Sequence, residues 1–343
     1  MSGDIPPYNP DGSAQATGRA TIAALSTLKV FFHDACFDGT ASAARFSAFY
    51  RDVIGVDRIV PVGVSHRLGD AFAGVAIDGD DNACVDFRYC PHPAMRWWFD
   101  HHATAFQPAE LRADFTARAD EHMAFEPGAP SCAGVVTRVL GERFGWRPPP
   151  HLVELTGWAD IVDAAAYPDA RTACAPESPA SQLAVWIASV REPALTGRYV
   201  AALEHTALAE LAAAPWIRAG LDPILARRRR DRDRWTAAGE VLGEVVRFDL
   251  IGRDLGSPGL TAYELFPGCA YTVTLLATES AVKVGVGWNP WSPGPRRHDL
   301  GALCARHGGG GHAVVGGVTL PPGTVNEGRE VARAIVAELA RDP

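Results

Sequence analysis

Residues 28 to 43 read LKVFFHDACFDGTASA. The apolar run Leu28 to Phe32 breaks off at His33, Asp34, Cys36 and Asp38, and the chain then passes into small residues with helical character. Three more short apolar, β-branched or aromatic runs follow, at Arg58 to Val64, Ala83 to Phe87 and Met95 to Phe99. Unbroken runs of this kind suit strands buried on both faces, as in a parallel sheet covered by helices. The first half is therefore expected to be α/β, with helices on both faces of a parallel sheet.

Working outward, residues 1 to 24 read as a loosely ordered tail or one extra turn of helix. A first domain is expected over 25–190, a helical connector over 191–240 and a smaller α/β domain over 241–343. Ser131 is an N-cap candidate for a helix to about Phe144, followed by a turn at Arg147 to Pro150 and a helix from about His151. Ser178 to Gly239 has a helical pattern. Its segment Arg227 to Arg234, RRRRDRDR, reads as the solvated face of a connecting helix rather than a nucleic-acid patch. Val241 to Ile251, Tyr271 to Ala277 and Ala281 to Val286 have strand character, and a helix is expected from about Asn326 to Ala340.

The 343 residues are 47% hydrophobic, enough for about two domains with sizeable cores. Against 40 Asp and Glu stand 32 Lys and Arg, and net −8 is the wrong sign for gripping long duplex through many phosphates. The imbalance is uneven: residues 1–226 carry 17 basic and 27 acidic side chains, residues 241–343 carry 9 and 10. Acid gathered in the first two thirds is either ordinary solvated surface or carboxylates placed to hold cations. The seven Cys are scattered with no C-x-x-C, which indicates neither a disulfide framework nor a Cys-rich zinc module. With no signal peptide and no apolar run approaching about 18 residues, the expectation is a cytoplasmic protein without membrane contact.

Acidic or imidazole side chains stand just after three of the expected strands: His33, Asp34 and Asp38; Asp86; and Asp100, His101 and His102. Ligand sites of parallel sheets lie beyond the carboxyl ends of the strands, so these clusters are expected to converge on one pocket. Mixed carboxylate and imidazole donors suit manganese, iron or zinc. Two such ions sharing a carboxylate can ionise a water and clamp a phosphoryl group.

In order and spacing, HDACFDGTASA (33–43), VDF (85–87), FDHHAT (99–104) and GGGGHAVVGG (308–317) resemble the DHH phosphoesterase superfamily with its DHH-associated C-terminal domain, over residues 28 to 340. The resemblance implies His33 and Asp38 as metal ligands, Asp86 as the carboxylate shared by two ions and His101 as a ligand of the second. It implies Asp100 as the group orienting His101, and His102 as the group facing the scissile phosphate. A further ligand is expected in WADIVD (158–163), with Asp160 favoured and Asp163 close behind. Members commonly carry Asp where this chain has Cys36. Cys36 then ligates a softer ion such as zinc, Asp34 takes over, one metal site is weak, or Cys36 merely packs behind the loop. Thr104 and Ser42 read as loop or helix-cap residues.

The glycine run and His312 are expected to approach the substrate through Gly309, Gly310 and Gly311, whose bare backbone offers N–H groups. Arg296, Arg297 and Arg306 are each either a phosphate contact or a surface group. Asn289, Pro290 and Trp291 could line the same cleft, with a buried structural Trp291 as the equal alternative. The implied function is hydrolysis of a phosphoester in a short oligonucleotide or nucleotide, in the manner of the superfamily's oligoribonuclease and bisphosphate nucleotidase branch. The implied cofactor is two manganese ions, with zinc or a single ion as the alternative that Cys36 raises. A non-hydrolytic nucleotide sensor and a polyphosphate or pyrophosphate hydrolase stand as alternatives, and a homodimer is compatible with the sequence.

Overall fold

The computed structural model describes residues 26–65, 70–175, 177–190 and 192–341. The tail expected over residues 1–24 lies outside them. The first part runs β1 (Thr27–His33), α1 (Phe37–Phe49), β2 (Arg58–Val64), β3 (Asp81–Val85), β4 (Trp97–Asp100), α2 (Leu111–Arg118), β5 (Met123–Phe125), α3 (Cys132–Phe144) and α4 (Pro150–Asp163). All five strands are parallel, in the order β2-β1-β3-β4-β5. β5 has only three residues and carried no sequence signal of its own.

The apolar runs divide between two cores. Val30, Phe32, Trp97 and Phe99 face the side packed by α1 and α3, while Phe31 and Trp98 face the opposite side. Strand side chains alternate, so a sheet buried on both faces needs apolar residues at every position. The second face is covered by α2, through Leu111 and Phe115, and by the segment containing Phe72, Val75 and Ile77. Ser131 caps α3 by accepting from the Gly134 N–H, and Gly145 ends the helix in the left-handed region.

The helical middle comprises α5 (Ala170–Cys174), α6 (Pro179–Ile187), α7 (Pro193–His205), α8 (Leu208–Ala213) and α9 (Pro215–Ala238). The arginine run lies on α9, where Arg227, Arg229, Arg230 and Arg234 are exposed and some of its arginines pair with acids. Arg232 forms a two-pronged pair with Glu264, and Arg227 reaches both Asp231 and Asp254.

The chain then builds β6 (Gly239–Leu242), β7 (Val245–Asp249), α10 (Thr261–Leu265), β8 (Tyr271–Ala277), β9 (Val282–Trp288), α11 (Leu300–Ala305), β10 (Gly310–Gly311), β11 (Val315–Leu320) and α12 (Val325–Leu339). The sheet order is β10-β11-β9-β8-β7-β6, with only β7 and β8 parallel. The stretch 241–251, read from sequence as one run, is a hairpin turned at Gly243. Leu300 and Leu303 of α11 and Ile335 and Leu339 of α12 share a core with Val273, Val284 and Val318 of the strands.

A candidate metal centre and its cavity

Register brings the clusters together. Phe32 lies beside Val85, and Val85 beside Phe99, so the next residues of the three central strands, His33, Asp86 and Asp100, emerge side by side at the carboxyl edge. Gly39 lets α1 reach that edge, because a Cβ there would stand 2.3 Å from the His33 carbonyl oxygen. Asp38, in the first turn of α1, is thereby buried beneath the site. Its carboxylate accepts from the Cys132 N–H at 2.6 Å and the Ala133 N–H at 2.9 Å, at the N-terminus of α3, and from the Ser42 hydroxyl at 3.2 Å.

Donor atoms gather in three overlapping groups: His33, Cys36 and Asp86; Asp86, His101 and His102; and Asp38, His101 and Asp163. The His101 Nε2 lies 3.6 Å from Asp38, 3.5 Å from Asp86 and 3.5 Å from Asp163. These gaps are too long for good hydrogen bonds. They are close to the roughly 3.0–3.5 Å expected between donors that each sit about 2.1 Å from one shared ion. Both Asp86 oxygens and the His101 Nε2 are buried without a hydrogen bond. Burial of unsatisfied polar atoms costs on the order of 1–3 kcal/mol each, a cost that a cation among them would remove. The donor set therefore fits divalent metal ions.

Backbone strain marks the same place. The non-glycine residues with positive φ among the described residues are Ala35 at 56°, Asp86 at 55° and Ala165 at 50°. The first two belong to the donor loops and the third lies two residues past Asp163. Such conformations cost about 1–3 kcal/mol each and persist where the surroundings enforce them.

Electrostatics follow from the crowding. Burial, then Asp86 and Asp163, push Asp38 well above the usual carboxylate range. Burial and Asp86 raise Asp163 to about 6. Asp86 is the exception: burial pushes it up, but the nearby imidazoles of His101, His33 and His102 hold it below its ordinary value. Burial lowers His101, yet Asp86, Asp38 and Asp163 together bring it to about 10. The Cys36 thiol is raised by burial first and by Asp86, Asp163 and Asp38 after it.

Several expectations need correction. Asp100 was expected to orient His101, but its carboxylate holds the His102 ring, accepting from Nδ1 at 2.6 Å, and meets His101 only at its backbone N–H, 2.8 Å away. His101 is oriented by the Ala129 carbonyl oxygen, 2.8 Å from its Nδ1, a backbone partner that no side-chain pattern announces. Of the two acids on α4, Asp163 reaches the cluster, while Asp160 accepts from the Ser131 hydroxyl at 2.5 Å and supports the start of α3. Asp34 turns toward β2, its carboxylate over Gly63 and accepting from the Ala35 N–H, so Cys36 rather than Asp34 stands among the donors. Ser42, read as a cap, bonds Asp38 one helical turn before it, a signal its i,i+4 spacing carried.

The cluster opens into a cavity of about 1160 Å³ lined by His33, Cys36, Asp100, His102 and Asp163 on one side and by Gly308 to His312 on the other. Thr104 also lines it. The His312 ring lies 4.6 Å from that of His102. Burial first, then His102 and His101, pull His312 down to about 4. The glycine run is wedged rather than loose: a Cβ on Gly309 would stand 2.0 Å from the Gly317 carbonyl oxygen, and one on Gly311 2.4 Å from that of Val315.

The three arginines are not brought to the cavity. Arg297 pairs with Glu244, Arg306 pairs with Glu338, and Arg296 donates to the carbonyl oxygens of His298 and Ala313. Trp291 is structural, its Nε1 donating to the Tyr167 carbonyl oxygen at 2.8 Å, and Asn289 is buried on the Cys269 carbonyl oxygen. No described helix is long and apolar enough to cross a membrane.

No family model matches the chain, and no curated protein matches it. Solved structures do. A pGpG-specific phosphodiesterase, PggH from Vibrio cholerae, is similar with a TM-score of 0.63 and 18% identity, over 93% of this chain and 100% of that one. RecJ from Thermus thermophilus in complex with Mn2+ is similar with a TM-score of 0.55 and 16% identity, over 92% of this chain and 53% of that one. Another exonuclease RecJ bound to manganese matches with a TM-score of 0.50 and 16% identity, over 92% and 91% of the two chains. These likenesses establish the fold.

Proposed function

We propose that this chain, which has the DHH phosphoesterase fold, is a metal-dependent phosphoesterase acting on a short oligonucleotide or small nucleotide. The observation that carries the reading is the buried Asp86 carboxylate, without a hydrogen bond at either oxygen where the donor groups overlap. His33, Cys36 and Asp86 would hold one ion, and Asp38, His101 and Asp163 the other, with Asp86 shared. Two manganese ions, when bound, supply a water ionised near neutral pH and Lewis acidity toward a phosphoryl oxygen. The Cys36 sulfur makes its position the softer of the two and opens it to zinc.

The chain's own groups do the rest. Asp100 fixes His102 through Nδ1, leaving Nε2 as the atom that protonates the departing oxygen. Burial pulls His102 down, but Asp100 and Asp86 raise it to about 9, so the proton is in place at neutral pH. His312 is neutral there and offers a polar ring without adding positive charge beside the ions.

The cavity walls favour a nucleotide over inorganic polyphosphate. Among the described lining residues Arg88 is the only Arg or Lys, whereas a polyphosphate chain needs a row of cations. Phe72, Val75, Ile77 and Leu111 supply an apolar wall that suits a nucleoside. The activity of the similar Vibrio protein on pGpG supports a dinucleotide-sized substrate.

The test is turnover by the manganese-loaded protein on dinucleotides, adenosine bisphosphate, cyclic dinucleotides and polyphosphate side by side, with bound metal counted. Release of mononucleotide or phosphate from a nucleotide substrate is expected. Binding of those nucleotides without release would replace this reading by a sensor, and phosphate released from polyphosphate alone would replace the substrate class.

A further inference from the structure

Arg88 is a half-buried cation that the chemistry above does not use. It follows Asp86 and Phe87 at the end of β3 and lines the cavity. Among the described residues its guanidinium has no ion pair or hydrogen bond, although most arginines of this chain find a carboxylate or carbonyl. A guanidinium held half out of water without an acceptor is a fork awaiting one.

The wall beside it limits what that acceptor is. Phe72, Val75, Ile77 and Leu111 are apolar, and the Tyr89 hydroxyl is already engaged, donating to Asp114 at 2.7 Å. A flat base can lie against such a wall, while a phosphate would be stripped of water there for one cation's return. Arginine offers donors only. Guanine presents two parallel acceptors, O6 and N7, on one edge; adenine pairs an acceptor with a donor on the same edge.

We propose that Arg88 and the apolar wall beside it form a base subsite that selects guanine, with the guanidinium donating to O6 and N7. The assignment rests on the phosphoesterase reading and adds to it a specificity-determining residue. Arg88→Gln converts the fork from two donors to one donor and one acceptor, the pattern that adenine matches.

The experiment compares kcat/KM of the wild-type protein, Arg88→Gln and Arg88→Met on pGpG, on pApA and on the base-free diester bis(p-nitrophenyl) phosphate. Binding of the two dinucleotides is measured in parallel by titration calorimetry in calcium, without turnover. Wild type should prefer pGpG by about tenfold or more, Arg88→Met should lose that preference, and Arg88→Gln should shift it toward pApA. The base-free diester reports whether each variant retains the cleavage machinery. Equal wild-type affinity and kcat/KM for the two dinucleotides would overturn the guanine subsite. So would equal losses on both in the variants, which would place Arg88 on a phosphate. If nothing is cleaved, including the base-free diester, the phosphoesterase reading fails, and the calorimetric preference still decides the subsite.

Discussion

Asp86 and Arg306 show how differently the two sides of the molecule treat charge. At the edge of the first sheet, Asp86 is buried with neither oxygen hydrogen-bonded, and its neighbours Asp38, Cys36 and Asp163 are all pushed up by burial and then by Asp86. In the C-terminal domain Arg306 reaches Glu338, Arg297 reaches Glu244 and Arg329 reaches Asp249. One region leaves charge unsatisfied and holds strained backbone beside it; the other cancels charge locally and presents the cavity with backbone and His312. Unsatisfied, strained polar groups are unfavourable unless a ligand completes them, whereas a cancelled pair is complete in itself. The contrast separates residues expected to act from residues expected to hold.

The largest effect that would test it is at Asp86. Asp86→Asn keeps the shape and tolerates the left-handed backbone at φ 55°, where alanine would add strain of its own. It removes the shared negative charge, and turnover should fall to the metal-free background while circular dichroism and the melting transition show a folded protein. Bound metal, counted after gel filtration, should fall with it. Near-wild-type turnover would dissolve the contrast, because a buried carboxylate with neither oxygen hydrogen-bonded would then have no use.

Next comes Asp100, which distinguishes positioning from ligation. Because its carboxylate holds the His102 ring and meets His101 only at the backbone N–H, Asp100→Asn should lower kcat by about 10–100-fold with bound metal unchanged. His102→Ala, which removes the proton donor itself, should lose about 10²–10⁴-fold. Metal lost in parallel with kcat in Asp100→Asn would return Asp100 to the role of orienting His101.

Much of this was legible in the sequence, and the reasons differ by residue. Apolar runs ending on His33, Asp86 and Asp100 announced both the parallel sheet and the convergence at its edge, because parallel register aligns strand ends. What stayed hidden depended on backbone atoms and on helix phase. The Ala129 carbonyl that orients His101 and the α3 N–H groups that hold Asp38 belong to no residue type. Asp160 and Asp163 are three positions apart on α4, and only the packing of that helix against α3 gives Asp160 to Ser131 and Asp163 to the cluster. Strand β5 is too short for a periodic signal. The arginines near the glycine run were close to the loop in sequence, but their acidic partners lie 32 and 53 residues away.

The smallest effect belongs to the region where charge is cancelled. Arg306 and His307 both reach Glu338 on α12, and the hydrogen bond from Arg306, opposed by slight burial, lowers the Glu338 pKa from its ordinary 4.5. A carboxylate depressed in the folded state stabilises it fully above the unfolded value, and that contribution disappears as acid carries the pH down through the lower, folded value. Both partners are partly exposed, so the pair should be worth at most about 1 kcal/mol and less in high salt. Urea melts of the wild-type protein and Glu338→Gln should therefore differ by that amount at pH 7 and converge below pH 4.5. Turnover on the dinucleotide should be unchanged within error, since the pair lies outside the cavity. A tenfold loss of kcat/KM with unchanged stability would instead return Arg306 to the substrate, and the two walls of the cavity would no longer differ in kind.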